Sequence, residues 1–314
     1  MEEEELLGIG DYIAILKRRK MQLIVPAAII GVTMAAIQNK GLDVLFRHIK
    51  KKLRITLKNI QHIIRRDALS RHPVIINSIP KSGTHMLEDM LDEIPGLRYV
   101  GCKTLSSWDN IESRHLKKIA KQKKGTVLLG HLTALPSVIN EINKNETKVI
   151  LLIRDPRDVV VSFVNYVMYI DKTHMAHEYL NSFDSDSERI DAAIEGNKPG
   201  VPNLGTLLNQ YEGWSSLESV LVYRYEDLLS EAHGGSESKQ KETIKRILSH
   251  LQINEYHDVI SSMIKRLEYQ KSSTFFKGGS GKWMGILTPE QKNKIKEYAG
   301  SWLIKYGYEN DLEW

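Results

Sequence analysis

Residues 148–153 read Lys-Val-Ile-Leu-Leu-Ile, an apolar run with no polar alternation. A strand with one face in water would alternate; this one has to be covered on both faces. Val74 to Ser78, Thr126 to Leu129 and Ser219 to Tyr225 are further runs read as strands. Helical patterns separate them: one follows a turn at Pro80–Gly83 and continues to about Glu93, another covers Pro156 to Met168, and a third covers Glu242 to Leu251. Thr288-Pro289-Glu290-Gln291 is a capping box that opens a last helix running to about Tyr306. Strands alternating with helices predict an α/β fold: a single domain with a central parallel β-sheet flanked by helices, over residues 71–314. Asp171 to Asn203 and Glu231 to Lys239 read as loops.

Residues 1–70 differ. Lys17-Arg18-Arg19-Lys20 precedes an uncharged stretch from Met21 to Ile37, at the lower edge of the ~17–25 residues that a membrane helix needs. Residues 41–66 follow as a basic amphipathic pattern suited to an anionic membrane surface. The expectation is an N-terminal helical extension with a membrane helix at 21–37. Seven basic residues lie between Lys40 and Lys58, against four from Lys17 to Lys20. The larger group should stay inside, which predicts a membrane-attached protein with a cytoplasmic catalytic domain if the host is bacterial. Net charge is +5, which favours anionic partners; the excess is local, so nucleic acid is not expected. Cys102 is the single cysteine, so neither an intramolecular disulfide nor a cysteine-based zinc site can form.

Three strings carry chemistry. Pro80-Lys81-Ser82-Gly83-Thr84-His85 lies between a strand and a helix start. Free backbone N–H groups and the helix dipole make such a turn an anion site, and Lys81, Ser82, Thr84 and His85 add donors. Lysine precedes glycine here, unlike the nucleoside-triphosphatase loop. Arg154-Asp155-Pro156-Arg157-Asp158 begins at a strand's carboxyl end, where ligands bind in open α/β sheets, and Ser162 stands two helical turns further on. Arg154 and Ser162 suit a phosphate, and Asp155 or Asp158 can anchor the arginines or cap the helix. Phe275-Phe276-Lys277-Gly278-Gly279-Ser280-Gly281-Lys282-Trp283 is a glycine-rich basic loop able to wrap a phosphate.

In this order and spacing the three strings resemble the sulfotransferases that use PAPS (3′-phosphoadenosine 5′-phosphosulfate), over Val74 to the C-terminus. The resemblance implies a P-loop-like domain, PAPS as donor, a hydroxyl acceptor and no metal requirement. It makes Lys81 the catalytic lysine that assists the leaving phosphate. Ser82, Gly83 and Thr84 would cradle the 5′-phosphate, with His85 beside them. Arg154 and Ser162, with Lys277 and Gly278, would hold the 3′-phosphate. His131 is similarly placed to the family's general-base histidine, and Tyr225 to the tyrosine near adenine. Departures are His85-Met86 where many members have Thr-Trp, Phe276 in place of an arginine, and Lys282 in place of an acidic residue. The missing adenine-stacking aromatic would be replaced by Phe275, Phe276 or Trp283.

His174 and His177 are three apart and read as acceptor contacts rather than metal ligands. The acceptor could be a polysaccharide or a small molecule. Alternatives are a nucleotide or sugar kinase of related architecture and a non-catalytic PAPS- or glycan-binding module. Gly8 to Arg19 with the apolar stretch after it is similar to the start of polysaccharide chain-length determinant proteins.

Overall fold

The computed structural model describes residues 71–94, 96–100, 104–106, 112–253, 257–268 and 279–314. The expected membrane helix and amphipathic segment, and Phe275, Phe276, Lys277 and Gly278 of the late loop, lie outside these residues. Among the described residues no helix is long and apolar enough to cross a membrane.

The elements run β1 (Val74–Ser78), α1 (Thr84–Leu91), β2 (Arg98–Tyr99), β3 (Leu105–Ser106), α2 (Glu112–Ala120), β4 (Thr126–His131), α3 (Pro136–Lys144), β5 (Lys148–Ile153), α4 (Pro156–Asn165), α5 (His177–Asn181), α6 (Asp186–Glu195), α7 (Leu204–Glu212), β6 (Val220–Arg224), α8 (Glu237–His250), α9 (His257–Glu268) and α10 (Pro289–Lys305). All strand pairs within the sheet are parallel, in the order β2-β4-β1-β5-β6, with β3 also on β4. The apolar runs bury both faces. Ile75, Leu128, Val149, Leu151 and Ile153 enter one core, while Val74, Ile76, Val127, Leu129, Ile150 and Leu152 enter the other. Successive residues of a strand point to opposite faces, so both must be apolar when helices cover both.

Several boundaries differ from expectation. The stretch from Asp171 to Asn203 is not a loop, because it carries α5 and α6. Ser185 caps α6 by accepting from the Glu188 amide, and Glu188 returns a bond to the Ser185 amide. Ile190, Ala192, Ala193 and Ile194 bury that helix, and its polar surroundings mask this signal in the sequence. Nor is Glu231 to Lys239 a loop throughout: residues 231–233 form a 3-10 turn and α8 already begins at Glu237. The helix after Pro156 is α-helical only to Asn165, then widens into a π-turn over Tyr166–Ile170. His131 is the last residue of β4 rather than a residue after it.

Candidate active site

The carboxyl ends of β1, β4 and β5 meet at one edge of the sheet, because parallel pairing brings Ser78 beside Leu152 and Asn77 beside Gly130. From β1 the chain enters the Pro80–Gly83 turn. Lys81 has φ 69° and Gly83 φ 98°. At Gly83 a Cβ would stand 2.7 Å from Cδ2 of Tyr225, so glycine is needed for both backbone and space. Gly83 is the N-cap of α1 and offers no side-chain acceptor to the first helical amides. Open amides at the positive end of a helix dipole bind anions. The Ser82 hydroxyl is buried and has no hydrogen-bond partner, a donor awaiting an acceptor.

His131 is locked by β1. Its Nδ1 lies 2.7 Å from the Ser78 carbonyl oxygen and 3.3 Å from Ser78 Oγ, which in turn is 2.6 Å from Thr84 Oγ1. A carbonyl can only accept, so Nδ1 carries the proton and Nε2 keeps the lone pair. Burial lowers the His131 pKa to about 4, the Ser78 bond opposing and nearby His85 and Lys81 adding. Lys81 is also brought down, to about 8, by burial first and then by Arg154, with Asp171 opposing. Its Nζ lies 3.6 Å from the centroid of the Tyr166 ring. Tyr166 Oη donates to Asp171 at 3.0 Å.

The two arginines of the second string part company. Arg154 donates to the carbonyls of Lys81 (3.1 Å) and Gly279 (3.2 Å) and lies over the Tyr225 ring at 4.5 Å. It therefore joins the phosphate loop to the glycine-rich late loop, and its buried Nε has no partner. Buried Asp158 sits 3.9 Å from Arg154 and accepts from the Gly281 and Trp283 amides at 2.8 and 3.2 Å. Arg157 turns away. It pairs with Asp155 and Glu309 and lies 3.8 Å from the Trp283 ring and 4.3 Å from the Trp314 ring. Asp155 also caps α4 by accepting from the Arg157 amide. Trp283 is buried, with Arg157 against its ring and Trp314 edge-on to it, and it is not among the residues lining the cavity at this sheet edge, which speaks against its expected stacking on adenine.

A cavity of about 720 Å³ opens at this edge. Lys81, Gly83, Thr84, His85, His131, Arg154, Ser162 and Tyr225 all line it, so the predicted residues that can be described converge; Ser82 stays buried within the same loop. The remaining wall is largely apolar, from Val160 and Phe163 of α4, Leu204 and Leu207 of α7, and Ile286. Tyr166 also lines it and was not predicted as a site residue, although it stands four residues after Ser162, on the same helical face. His174 faces the cavity and packs edge-on against Phe163 and Tyr166. No cluster of potential metal ligands occurs among the described residues.

Fold and site together define an α/β protein whose parallel sheet carries, at its carboxyl edge, an uncapped helix start, Lys81 and Arg154 around one cavity. The chain belongs to the sulfotransferase domain family, whose profile matches residues 71–307. Mouse sulfotransferase SULT7A1, solved with PAP, shares its fold at TM-score 0.56 and 19% identity, covering 76% of this chain and 86% of that one. A retinol dehydratase solved with androsterone and inactive cofactor PAP gives TM-score 0.48 and 16% identity, covering 74% and 80%. A search of curated proteins found no significant match.

Proposed function

We propose that the protein transfers a sulfuryl group from PAPS to the hydroxyl of a small, largely apolar acceptor. The observation that carries this reading is the His131–Ser78 bond, which aims an unprotonated imidazole nitrogen at the cavity that Lys81 also lines. The acceptor oxygen forms its bond to sulfur as the bond from sulfur to the 5′-phosphate oxygen breaks. His131 Nε2 takes the hydroxyl proton. Lys81, cationic below about pH 8, neutralises the charge that grows on the leaving phosphate. An anionic donor beside His131 raises the imidazole's proton affinity at the moment it is needed.

The orphaned donors fit such a group. Ser82 Oγ and the open amides of α1 suit the 5′-phosphate, and Arg154 Nε with Ser162 suits the 3′-phosphate. Lys277 and Gly278 would add to the latter. The apolar wall supports a phenol- or alcohol-like acceptor over a polysaccharide, whose hydroxyls would leave Phe163, Leu204 and Leu207 to water. The cytoplasmic placement of the domain belongs to the same proposal and is supported by the basic residues from Lys40 to Lys58.

Radiolabelled PAPS supplied with a panel of phenols, alkanols and neutral polysaccharides tests the reading. Label should pass to the apolar alcohols and be blocked by PAP. Transfer from ATP instead would return the kinase reading, and PAP binding without any transfer would leave a binding module.

A further inference from the structure

The opposite edge of the sheet carries a second surface, independent of the transfer chemistry. There the amino ends of the strands are stitched together. Gly125 donates to the His72 carbonyl at 3.1 Å, and Lys148 donates to that of Pro73 at 2.9 Å. Gln122 Nε2 reaches the Val74 carbonyl at 2.6 Å, and Asn145 Nδ2 reaches the Ile119 carbonyl at 2.9 Å. The end of α2, the turn into β4, the turn into β5 and the entry to β1 therefore form one face.

That face is basic. Lys117, Lys118, Lys121, Lys123, Lys124 and Lys144 are all exposed on it, and none forms an ion pair among the described residues. Arg71, also exposed, stands where the chain enters β1. The carboxylates in the same turns are Glu141 and Glu146. Some basic residues elsewhere are paired, as in Lys294 with Asp191 and Glu195, or Arg189 with Asp186; what sets this face apart is the number of lysines gathered on it. The segment that precedes Arg71 is itself rich in Lys and Arg between residues 40 and 66 and apolar between 21 and 37. By connectivity it leaves the described domain from this same edge.

The geometry points to this face as a docking surface for an anionic lipid bilayer. The occupant is a membrane rather than nucleic acid because the same chain carries, in its sequence, an apolar stretch at 21–37 followed by a basic one at 40–66, a composition suited to a bilayer and not to nucleic acid. Lysines within a Debye length of an anionic leaflet each strengthen binding by about fivefold. Strands rise about 3.3 Å per residue, so the cavity mouth would lie roughly 20 Å further out and face the water. The acceptor would then arrive from the aqueous side.

Lysine footprinting of the full-length chain tests this. The protein is mixed with phosphatidylcholine vesicles, with or without one-third phosphatidylserine, and labelled with a water-soluble amine-reactive reagent. Labelling of Lys117 to Lys124 and of Lys144 should fall at least about fivefold on the anionic vesicles only. Lys198, beside cavity residues Gly200 and Val201, should be unaffected. Replacing Lys117, Lys118, Lys121, Lys123 and Lys124 with Gln should abolish the difference at Lys144 while transfer activity persists; a Lys121→Gln/Lys124→Gln pair, milder on folding, should lower it. Equal labelling on both vesicle types would overturn the proposal. So would protection of Lys198 in place of the lysine face, or equal protection by a short RNA duplex at the same salt.

Discussion

The Lys81 ammonium rests on the face of the Tyr166 ring, 3.6 Å from its centroid. The ring is brought there by the π-turn that begins at Tyr166 and is tethered by its hydroxyl to Asp171. A cation held by a ring face keeps its charge without a strong ion pair, so it remains available to an incoming phosphate. Cation–π contacts contribute about 0.5–2 kcal/mol, the upper end when desolvated.

Tyr166→Leu should therefore reduce kcat by roughly 2- to 30-fold, with donor affinity, measured by PAP calorimetry, little changed. Tyr166→Phe keeps the ring and should retain most of the activity. Equal loss in both variants would place the effect in the hydroxyl and Asp171 rather than in the ring face.

The pH profile follows from the two perturbed groups. His131 must be unprotonated and is so above about pH 4; Lys81 must be protonated and is so below about pH 8. With PAPS varied below saturation, kcat/KM should rise through the first value, stay level, and fall through the second. Lys81→Arg should keep a cation at all working pH and remove the alkaline limb from whatever activity remains. His131→Ala should lower the plateau by ~100-fold or more, without loss of PAP binding.

Gly83→Ala introduces a methyl group 2.7 Å from a Tyr225 ring carbon at φ 98°. The left-handed backbone alone costs about 1–2 kcal/mol, so thermal unfolding should move down and PAP affinity should weaken. Adding Tyr225→Leu should relieve the clash but not the backbone strain, giving partial recovery of the melting temperature. Full recovery would show that the turn tolerates a side chain at this φ.

Arg154 and Arg157 should separate cleanly. Arg154→Ala removes a cavity cation, and should raise the donor KM by an amount corresponding to about 1.5–3 kcal/mol and narrow discrimination between donors with and without the 3′-phosphate. Arg157→Ala leaves Asp155 and Glu309 without their buried partner and opens a gap between two tryptophans. It should cost about 3–5 kcal/mol of stability while preserving that discrimination. Urea melts and donor kinetics on the two variants check both halves.

What the sequence determined by itself was what local periodicity and short strings can encode. Apolar runs without alternation defined β1, β4 and β5 as doubly covered parallel strands, and Thr288 to Gln291 marked the start of α10, whose capping box forms as expected. The phosphate loop was legible because a strand, a glycine turn and a helix start are contiguous in the chain. The tertiary structure alone decided the rest, since it depends on contacts between distant residues. His131 has its tautomer set by a carbonyl 53 positions away, and Arg154 reaches Gly279 across 125. Nothing local distinguishes Arg154 from Arg157, three residues on. They diverge because Arg154 follows the last residue of β5, ahead of the non-helical Asp155 cap, whereas Arg157 already lies in the first turn of α4; one guanidinium reaches the Tyr225 ring beside the cavity and the other sits between Trp283 and Trp314.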